Sequence, residues 1–508
     1  MKIKKLEKNK LEFKKILINE NKINYLCERL KTRVNIKQIS LKKNELNETN
    51  LKKIVESLKN QQNLQSLILK DNKFTTLEDF SLYLSTNTTL KTLNIGENPI
   101  NIEGIKNLAE SLKKNQNLKK LFLHSTKMDE NVMKILCESL EINESLTKID
   151  LSYTTMNNET LKILCGTISS KNNKITKINL KNNYFNGDLL ENVMEMIEKN
   201  KIKKLNLNNN FLSDISVNKL INFTFNQKLL LSTLEIGNTG VGTESVQTIT
   251  KMLTENNHTI TNLNISKMRI EKETFLNFLF SLKKNTILKK LDIGFNVIEY
   301  DCLPALIDVI QQNTAIESLN LNKIFLPSYN LDHFWNSFEI SRIKKLYVRF
   351  NYLKSIENIS NVLAKNTSLT YLDFSFNDIN LTQVNHFFDS LKKNNTIKKI
   401  GFAFNDFSET PVDFILDCLK YNNSLTHIYF EHWSQNSKSI KLNNEQINFM
   451  LSSNKQWNTK RHSYFSVPFK KCVVCFLLVI KHLKISIPKF VLFHIIGQIE
   501  RKSFLHLI

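Results

Sequence analysis

Residues 369–377 read Leu-Thr-Tyr-Leu-Asp-Phe-Ser-Phe-Asn, which is the pattern L-x-x-L-x-L-x-x-N. The same frame returns every 26 to 29 residues along most of the chain. A constant period of this length predicts a repeat architecture, in which each unit buries its apolar side against its sequence neighbours. The fifteen frames begin at Ile36, Leu64, Leu90, Leu118, Leu146, Ile175, Ile202, Leu231, Ile260, Leu288, Ile316, Ile343, Leu369, Ile397 and Leu425.

The centre of each frame predicts a short β-strand. Side chains alternate along a strand, so Leu369, Leu372 and Phe374 are expected to face the core. By the same alternation Tyr371 and Asp373 are expected to face the opposite, solvent-exposed side. The sequence therefore predicts a sheet with one buried face and one face free for contacts.

The last position of each frame predicts a turn, which we call the corner. Nine corners carry Asn, whose side-chain amide can bond the backbone of a turning chain. Threonine can do so more weakly, and apolar residues cannot, so apolar corners are predicted to be irregular. The corners without Asn are Thr126, Thr154 and Thr239, and the apolar Met268, Ile324 and Trp433.

The segments between the strands predict α-helices. Apolar residues recur at helical spacing, for example at Val384, Phe387, Phe388 and Leu391, which places them on one helical face. Strands that alternate with amphipathic helices indicate an α/β fold.

These frames resemble the leucine-rich repeat family, in particular its long-repeat subclass typified by ribonuclease inhibitor. The resemblance covers residues from about 20 to 458. It implies an α/β solenoid shaped as a horseshoe, with parallel strands on the concave face and helices on the convex face. It implies little about function, because such a scaffold can host many partners.

The pattern divides the chain into four segments. We expect an N-terminal helical cap at 1–35, about fifteen repeats at 36–433, a C-terminal capping helix at 434–458, and a basic and apolar helical tail at 459–508. Residues 1–19 are rich in lysine and predict a helix.

Charge and cysteine content suggest a compartment but no specific partner. The formal net charge is +23, but lysines occur in every repeat and no RNP, zinc-finger or helix-turn-helix motif accompanies them. The seven cysteines and the absence of an apolar leader at the N-terminus predict a reducing, cytoplasmic environment.

The tail suggests a second function. Its apolar run at 472–480 is too short to span a bilayer, so no membrane span is predicted. The sequence around Pro488 is similar to the core of F-box motifs and to the C-terminal half of a SOCS box. That resemblance implies a docking site for a ubiquitin-ligase adaptor at Ile487, Pro488, Val491, Ile495 and Ile499.

No catalytic chemistry is predicted. Phosphate-binding, nucleophile-elbow and zinc-protease motifs are absent from the sequence, and the pair Cys472 and Cys475 has no second pair at ligand spacing. We therefore expect no enzyme activity, no cofactor and no metal.

The outward strand positions predict a binding surface. Near the N-terminal end they are small or polar, as at Gln38, Ser66 and Thr92, whereas aromatic residues appear from Leu288 onward with lysines between them. Exposed tyrosines beside basic residues are typical of protein interfaces and suggest an acidic partner. The predicted partner-binding residues are Tyr347, Tyr371, Tyr429, Phe295, Phe350, Phe376, Phe404, Lys290, Lys345 and Lys399.

The corner phenylalanines could alternatively pack into a spine between repeats, because Phe is also common in cores. Three functions remain open: a protein-binding scaffold, a substrate-recognition subunit of a ubiquitin ligase, and an RNA-binding solenoid. RNA binding remains an open function because bases can also stack on aromatic residues that have lysines beside them.

Overall fold

The protein is described from a computed structural model. The described residues are 9–13, 20–32, 35–170, 173–226, 229–256, 258–326, 331–405, 407, 411–433, 439–441, 447 and 451. The chain divides into two compact units. The first comprises residues 1–281 with 287–291, and the second comprises residues 282–286 with 292–508.

The first unit alternates short strands with helices. Its ten parallel strands pair in chain order, each with the next. The strands are β1 (Lys10–Glu12), β2 (Gln38–Ser40), β3 (Ser66–Ile68), β4 (Thr92–Asn94), β5 (Lys120–Phe122), β6 (Lys148–Asp150), β7 (Lys177–Asn179), β8 (Lys204–Asn206), β9 (Thr233–Glu235) and β10 (Asn262–Asn264). The helices are α1 (Glu20–Thr32), α2 (Glu48–Leu58), α3 (Glu78–Thr86), α4 (Ile102–Lys114), α5 (Glu130–Ile142), α6 (Asn158–Ile168), α7 (Leu190–Asn200), α8 (Asp214–Asn226) and α9 (Thr243–Glu255). Helix α10 (Lys272–Lys284) and strand β11 (Lys290–Asp292) fall at the boundary between the units in sequence.

The second unit repeats the same alternation. Its parallel strands, again paired in chain order, are β12 (Ser318–Asn320), β13 (Lys345–Tyr347), β14 (Tyr371–Asp373), β15 (Lys399–Gly401) and β16 (His427–Tyr429). Its helices are α11 (Leu303–Gln312), α12 (Asp332–Asn336), α13 (Glu357–Leu363), α14 (Leu381–Leu391) and α15 (Val412–Tyr421). An antiparallel pair, β17 (Glu431–Trp433) and β18 (Ser439–Lys441), follows them.

The apolar frame positions form the core, as predicted. Leu369, Leu372 and Phe374 are fully buried, as are Val384 and Leu391 on the facing helix. Each strand therefore contributes two or three apolar side chains that the helices cover. The free energy of burying such a side chain is about 1.5–3 kcal/mol, and the frame supplies it in every repeat.

The fourteen corners from Asn44 to Asn405 share one backbone conformation, whatever residue they carry. The residue before the corner has a positive φ, as at Glu97, Asn182 and Phe376. Lys267 before Met268 and Lys323 before Ile324 adopt it too, so the prediction of irregular turns at those two apolar corners was wrong. The backbone is set by the neighbouring repeat. The amide of Ile324 donates to Asn351 Oδ1 at 3.0 Å, so the corner side chain of the next repeat supplies the bond.

Corner asparagines link successive repeats. The side chain of Asn72 donates to Leu41 O and accepts from the backbone N–H of Asn44, both in the preceding repeat. Asn98 in turn accepts from the N–H of Asn72. Thr126 at the next corner is buried, but within the described part of the chain its hydroxyl has no hydrogen-bond partner. The sequence of linked corners that starts at Asn44 therefore ends at Asn98.

The N-terminal segment differs from its prediction. Of the helix expected at 1–19, the described residues contain strand β1, which pairs with β2 in parallel. Leu11 and Phe13 are both buried and supply the two central apolar positions of a frame. Lys8 stands where the frame would start with an apolar residue, and for this reason the repeat was missed.

The remaining sequence expectations concern cysteines and membrane spans. Cys27, Cys137, Cys165, Cys302 and Cys418 are buried and form no disulfide. Burial raises the pKa of the Cys137 thiol to about 11. Within the described ranges no helix combines the length and apolar character needed to cross a bilayer.

Candidate functional site

Two rows of side chains stand on the open face of the strands in the second unit, which we call its strand face. Strand pairing sets these rows, because paired residues on neighbouring strands lie side by side. The outer row is Ser318, Lys345, Tyr371, Lys399 and His427. The inner row is Asn320, Tyr347, Asp373, Gly401 and Tyr429.

The three predicted tyrosines are on this face, with different exposure. Tyr347 and Tyr371 are half-buried because their rings contact each other, with centroids 4.9 Å apart. Tyr429 is 46% exposed and stacks on the ring of His427 at 6.1 Å. A partner could therefore reach the exposed part of Tyr429 and the edges of the Tyr347–Tyr371 pair.

Asp373 is on the strand face but is not exposed, which corrects its prediction. Its accessible surface is 0%, because Arg349 and Tyr371 cover it. Arg349 Nε donates to Asp373 Oδ2 at 2.8 Å, and the Tyr371 hydroxyl donates to the same oxygen at 2.7 Å. The backbone N–H of Ser375 donates to Oδ1 at 3.1 Å. The carboxylate thus has donors on both oxygens.

These contacts decide the charge of the site. Burial alone would raise the pKa of Asp373, but hydrogen bonds from Arg349, Ser375 and Tyr371 outweigh it and hold the pKa below its ordinary value. Burial and the adjacent carboxylate raise the pKa of the Tyr371 phenol. Asp373 is therefore ionised at neutral pH, Arg349 balances its charge, and the hydroxyl of Tyr371 stays protonated.

Glycine at 401 makes room for this cluster. It follows Asp373 in the inner row, and a Cβ added there would collide with Asp373 Oδ1. Backbone without a side chain therefore lies beside the carboxylate at this position. Gly401 also leaves a gap in the inner row between Asp373 and Tyr429.

A ladder of phenylalanines runs along the turns at the ends of the strands. Phe350 stacks on Phe376 at 4.3 Å, and Phe376 stacks on Phe404 at 4.5 Å. Phe295 lies 6.3 Å from Phe350, and the Lys323 ammonium is 6.0 Å from the Phe295 ring. Phe295 and Phe350 are 43% and 36% exposed, so they do not form a buried spine.

The four phenylalanines of the ladder have left-handed backbone angles. Phe295, Phe350, Phe376 and Phe404 have φ values of 60°, 58°, 60° and 57°. This left-handed region costs a residue with a side chain about 1–2 kcal/mol, whereas Gly and Asn tolerate it better. At the equivalent position the first unit carries Asn182, Asn209 and Asn238, but also charged residues such as Lys43 and Glu97. The aromatic rings are therefore present despite the preference of the backbone.

The predicted lysines separate into two groups. Lys345 is exposed and Lys399 is half-buried, and both are paired in register with Tyr371, one on each side. Lys290 is exposed but belongs to the first unit. Only Lys345 and Lys399 are thus brought together with the tyrosines of the second unit.

Sequence reasoning missed two features. Arg349 was overlooked because its role depends on Asp373, which lies in the next repeat. The second feature is a row of lysines in register on β5 to β8 of the first unit, formed by Lys120, Lys148, Lys177 and Lys204. The signal was present, because all four occupy the third position of consecutive frames.

The proposed adaptor-binding residues Ile487, Pro488, Val491, Ile495 and Ile499 lie outside the described residues, as do Cys472 and Cys475. Of the capping helix expected at 434–458, the described residues contain strand β18 at its start, which corrects the prediction there, and helical residues at 447 and 451; the rest lies outside them. Across the part of the chain that the structure describes, no group of three or more His, Cys, Asp or Glu side chains is placed to hold a metal ion.

The repeating strands, helices and corners of each unit define an α/β leucine-rich repeat fold. No protein-family model matches the chain, and no curated protein matches it. One similar solved structure is an internalin (inlF) of Listeria monocytogenes, with 16% identity and a TM-score of 0.33 over 76% of this chain and 89% of that one. Another is TLR13 in its complex with ssRNA13, with 16% identity and a TM-score of 0.39 over 75% of this chain and 55% of that one.

Proposed function

We propose that this protein is a non-enzymatic interaction scaffold that holds a protein partner against the strand face of its second unit. The observation that carries the proposal is the phenylalanine ladder. Four aromatic rings occupy backbone positions that disfavour them, and Phe295 and Phe350 remain exposed to solvent. The same left-handed position carries Glu97, Ser125 or Lys267 in the first unit, so the backbone does not require aromatic residues there, and exposed aromatic rings are typical of protein interfaces.

The neighbouring rows support the same surface. Tyrosine supplies a large, rigid contact area, and tyrosines are frequent among the residues that dominate interface energies. Tyr429 offers such an area directly. The Arg349–Asp373 ion pair and Gly401 hold the centre of the surface in one arrangement, so little order has to be gained on binding.

We also propose the charge of the partner, the repeat subclass and the compartment, each from a separate observation. Lys345 and Lys399 flank Tyr371 and would attract acidic side chains. We also assign the repeats to the ribonuclease-inhibitor-like subclass, because helices of 9 to 13 residues follow most strands of the first unit. Five buried free thiols fit a reducing, cytoplasmic compartment.

The test is quantitative affinity capture with the full-length chain. The variant combines Phe350→Asn, Phe376→Asn and Tyr429→Ala. For these side chains the described contacts are ring contacts only, so a hydrogen-bond network is not broken. Tyr371→Ala is avoided because it would remove a donor from buried Asp373.

We expect a partner recovered with the wild type to be lost from the triple variant. Loss of a central anchor typically costs about 2 kcal/mol or more, or roughly thirtyfold in affinity. The matched control is Ser66→Ala with Thr92→Ala on the strand face of the first unit, which should capture the partner normally. Full capture by a folded triple variant would place the partner on another surface.

A further inference from the structure

The lysine row of the first unit is a separate charged surface. Lys120, Lys148, Lys177 and Lys204 occupy paired positions on four consecutive strands, which are spaced about 4.8 Å apart. Like charges directly opposite each other on a sheet destabilise it. Other repeats place Gln38, Ser66 or Thr92 at this position, so the fold does not need lysine here.

These charges are not neutralised within the described part of the chain. None of the four lysines forms an ion pair there, although many other lysines do, such as Lys70 with Glu97 at 2.7 Å. Burial lowers the pKa of Lys148, the nearby Asp150 opposes the change, and Lys120, Lys177 and Lys204 lower it further. The carboxylate of Asp150 is itself buried and accepts from the Ser152 hydroxyl at 2.7 Å.

The residues beside the row argue against nucleic acid. Bases bind single-strand platforms by stacking on exposed aromatic rings. The inner row on these four strands is Phe122, Asp150, Asn179 and Asn206. Phe122 is its one aromatic residue, and the Lys148 ammonium already lies over that ring at 4.5 Å.

The spacing of the row fits an acidic helix. Three strand intervals span roughly 14 Å. A helix that carries one acidic residue per turn repeats its charges about every 5.4 Å, close to the interval between the lysines. An extended peptide repeats its same-side charges about every 6.8 Å and fits less well. Flexible lysine side chains can absorb the remaining mismatch.

We infer that Lys120, Lys148, Lys177 and Lys204 form a docking row for an acidic α-helical segment of a protein partner, which lies across strands β5 to β8. The surface is distinct from the aromatic one in the second unit, and the inference does not depend on the proposed function. Either can fail while the other stands.

The experiment measures binding of the full-length protein to three probes at one fixed salt concentration. The first is a helical peptide with a glutamate at every fourth position, the second is a scrambled peptide of the same composition, and the third is single-stranded polyuridylate RNA. The test variant replaces all four row lysines by serine. The matched control replaces four exposed lysines of the helical side that form no ion pair: Lys59, Lys134, Lys162 and Lys251.

We expect the helical peptide to bind the wild type and the control alike, and to lose at least about tenfold in affinity with the row variant, as four weak charge pairs would together supply. The row variant should stay folded, because relief of the charge repulsion offsets the loss of the contact between Lys148 and the Phe122 ring. Tighter binding of RNA than of the peptide, equal binding of the scrambled peptide, or an equal loss in the control would each overturn the inference.

Discussion

The strand face of the first unit carries lysines and small polar residues, whereas that of the second unit carries tyrosines around a buried ion pair. The core-facing positions of the same strands do not differ in this way. Leu121 and Leu346, for example, are both fully buried leucines. The fold constrains every second strand residue and leaves the others free, so a single repeat pattern can present two chemically different surfaces.

The largest expected effect concerns the core-facing strand positions, which are alike in the two units. Leu234→Asp in the first unit and Leu346→Asp in the second place a charge at equivalent, fully buried positions. Each should lower the free energy of unfolding by about 3–5 kcal/mol, because a buried unpaired charge has no compensating contact. Urea denaturation of both variants measures this. A variant that tolerates the aspartate would show that the assigned register is wrong in that unit.

The next effect concerns the ion pair, which belongs to the second unit alone. Asp373→Asn should cost about 1–3 kcal/mol at neutral pH, because Arg349 and Tyr371 lose their charged acceptor. The folded state lowers the pKa of Asp373, so its contribution is complete above the ordinary value of 3.8. It fades as the pH falls through the lower folded value.

The free energies of unfolding of the wild type and of Asp373→Asn, measured against pH, check whether the contribution of Asp373 falls in acid. The two curves should be separated at neutral pH and should converge in acid below the ordinary aspartate pKa. A gap that widens in acid would mean that the carboxylate is bound in its protonated form and that Arg349 does not stabilise it.

A smaller effect tests whether the phenylalanine ladder is structural. Phe350→Asn loses stacking worth about 0.5–1.5 kcal/mol and relieves left-handed strain of about 1–2 kcal/mol. The two terms nearly cancel, so thermal melting should change little. Phe402→Ala in the core of the same unit is the contrast, and it should cost about 3–5 kcal/mol. A large loss in Phe350→Asn would identify the ladder as a stabilising spine.

The smallest effect is expected at Lys290. Its side chain is exposed on β11, and Lys290→Ala should change the free energy of unfolding by about 0.5 kcal/mol or less. Denaturation alongside Leu234→Asp provides the scale. Comparable losses in the two variants would contradict the inward and outward positions assigned to the strands.

The core could be predicted from sequence because one rule, the alternation within a frame, decides it. Leu369, Leu372 and Phe374 are buried as expected, since an apolar side chain at those positions always meets a helix. Strand β1 was not predicted, because Lys8 replaces the first apolar residue of its frame. Its corner position is Ile16 in place of Asn, so two departures hid a repeat whose central apolar positions are intact.

The outward face was harder to predict, because its exposure depends on residues of neighbouring repeats. Asp373 is buried because Tyr371 and Arg349, which follows β13, both cover it, and because Gly401 makes room on β15. No pattern within the frame of Asp373 contains this information. The lysine row was accessible in principle, since an alignment of the frames places Lys120 and Lys148 at the same position.

The corner asparagine side chains described above bond each repeat of the first unit to the repeat before it. Asn72 and Asn98 each bond backward to the preceding repeat, and Thr126 makes no such bond among the described residues. Local opening is expected to stop where coupling between neighbours is strong and to start where it is weak. The protection of backbone amides against hydrogen exchange should therefore differ between the repeats before and after the boundary from Asn98 to Thr126. Thr126→Asn should remove that difference, and equal protection on both sides in the wild type would show that helix packing alone carries the coupling.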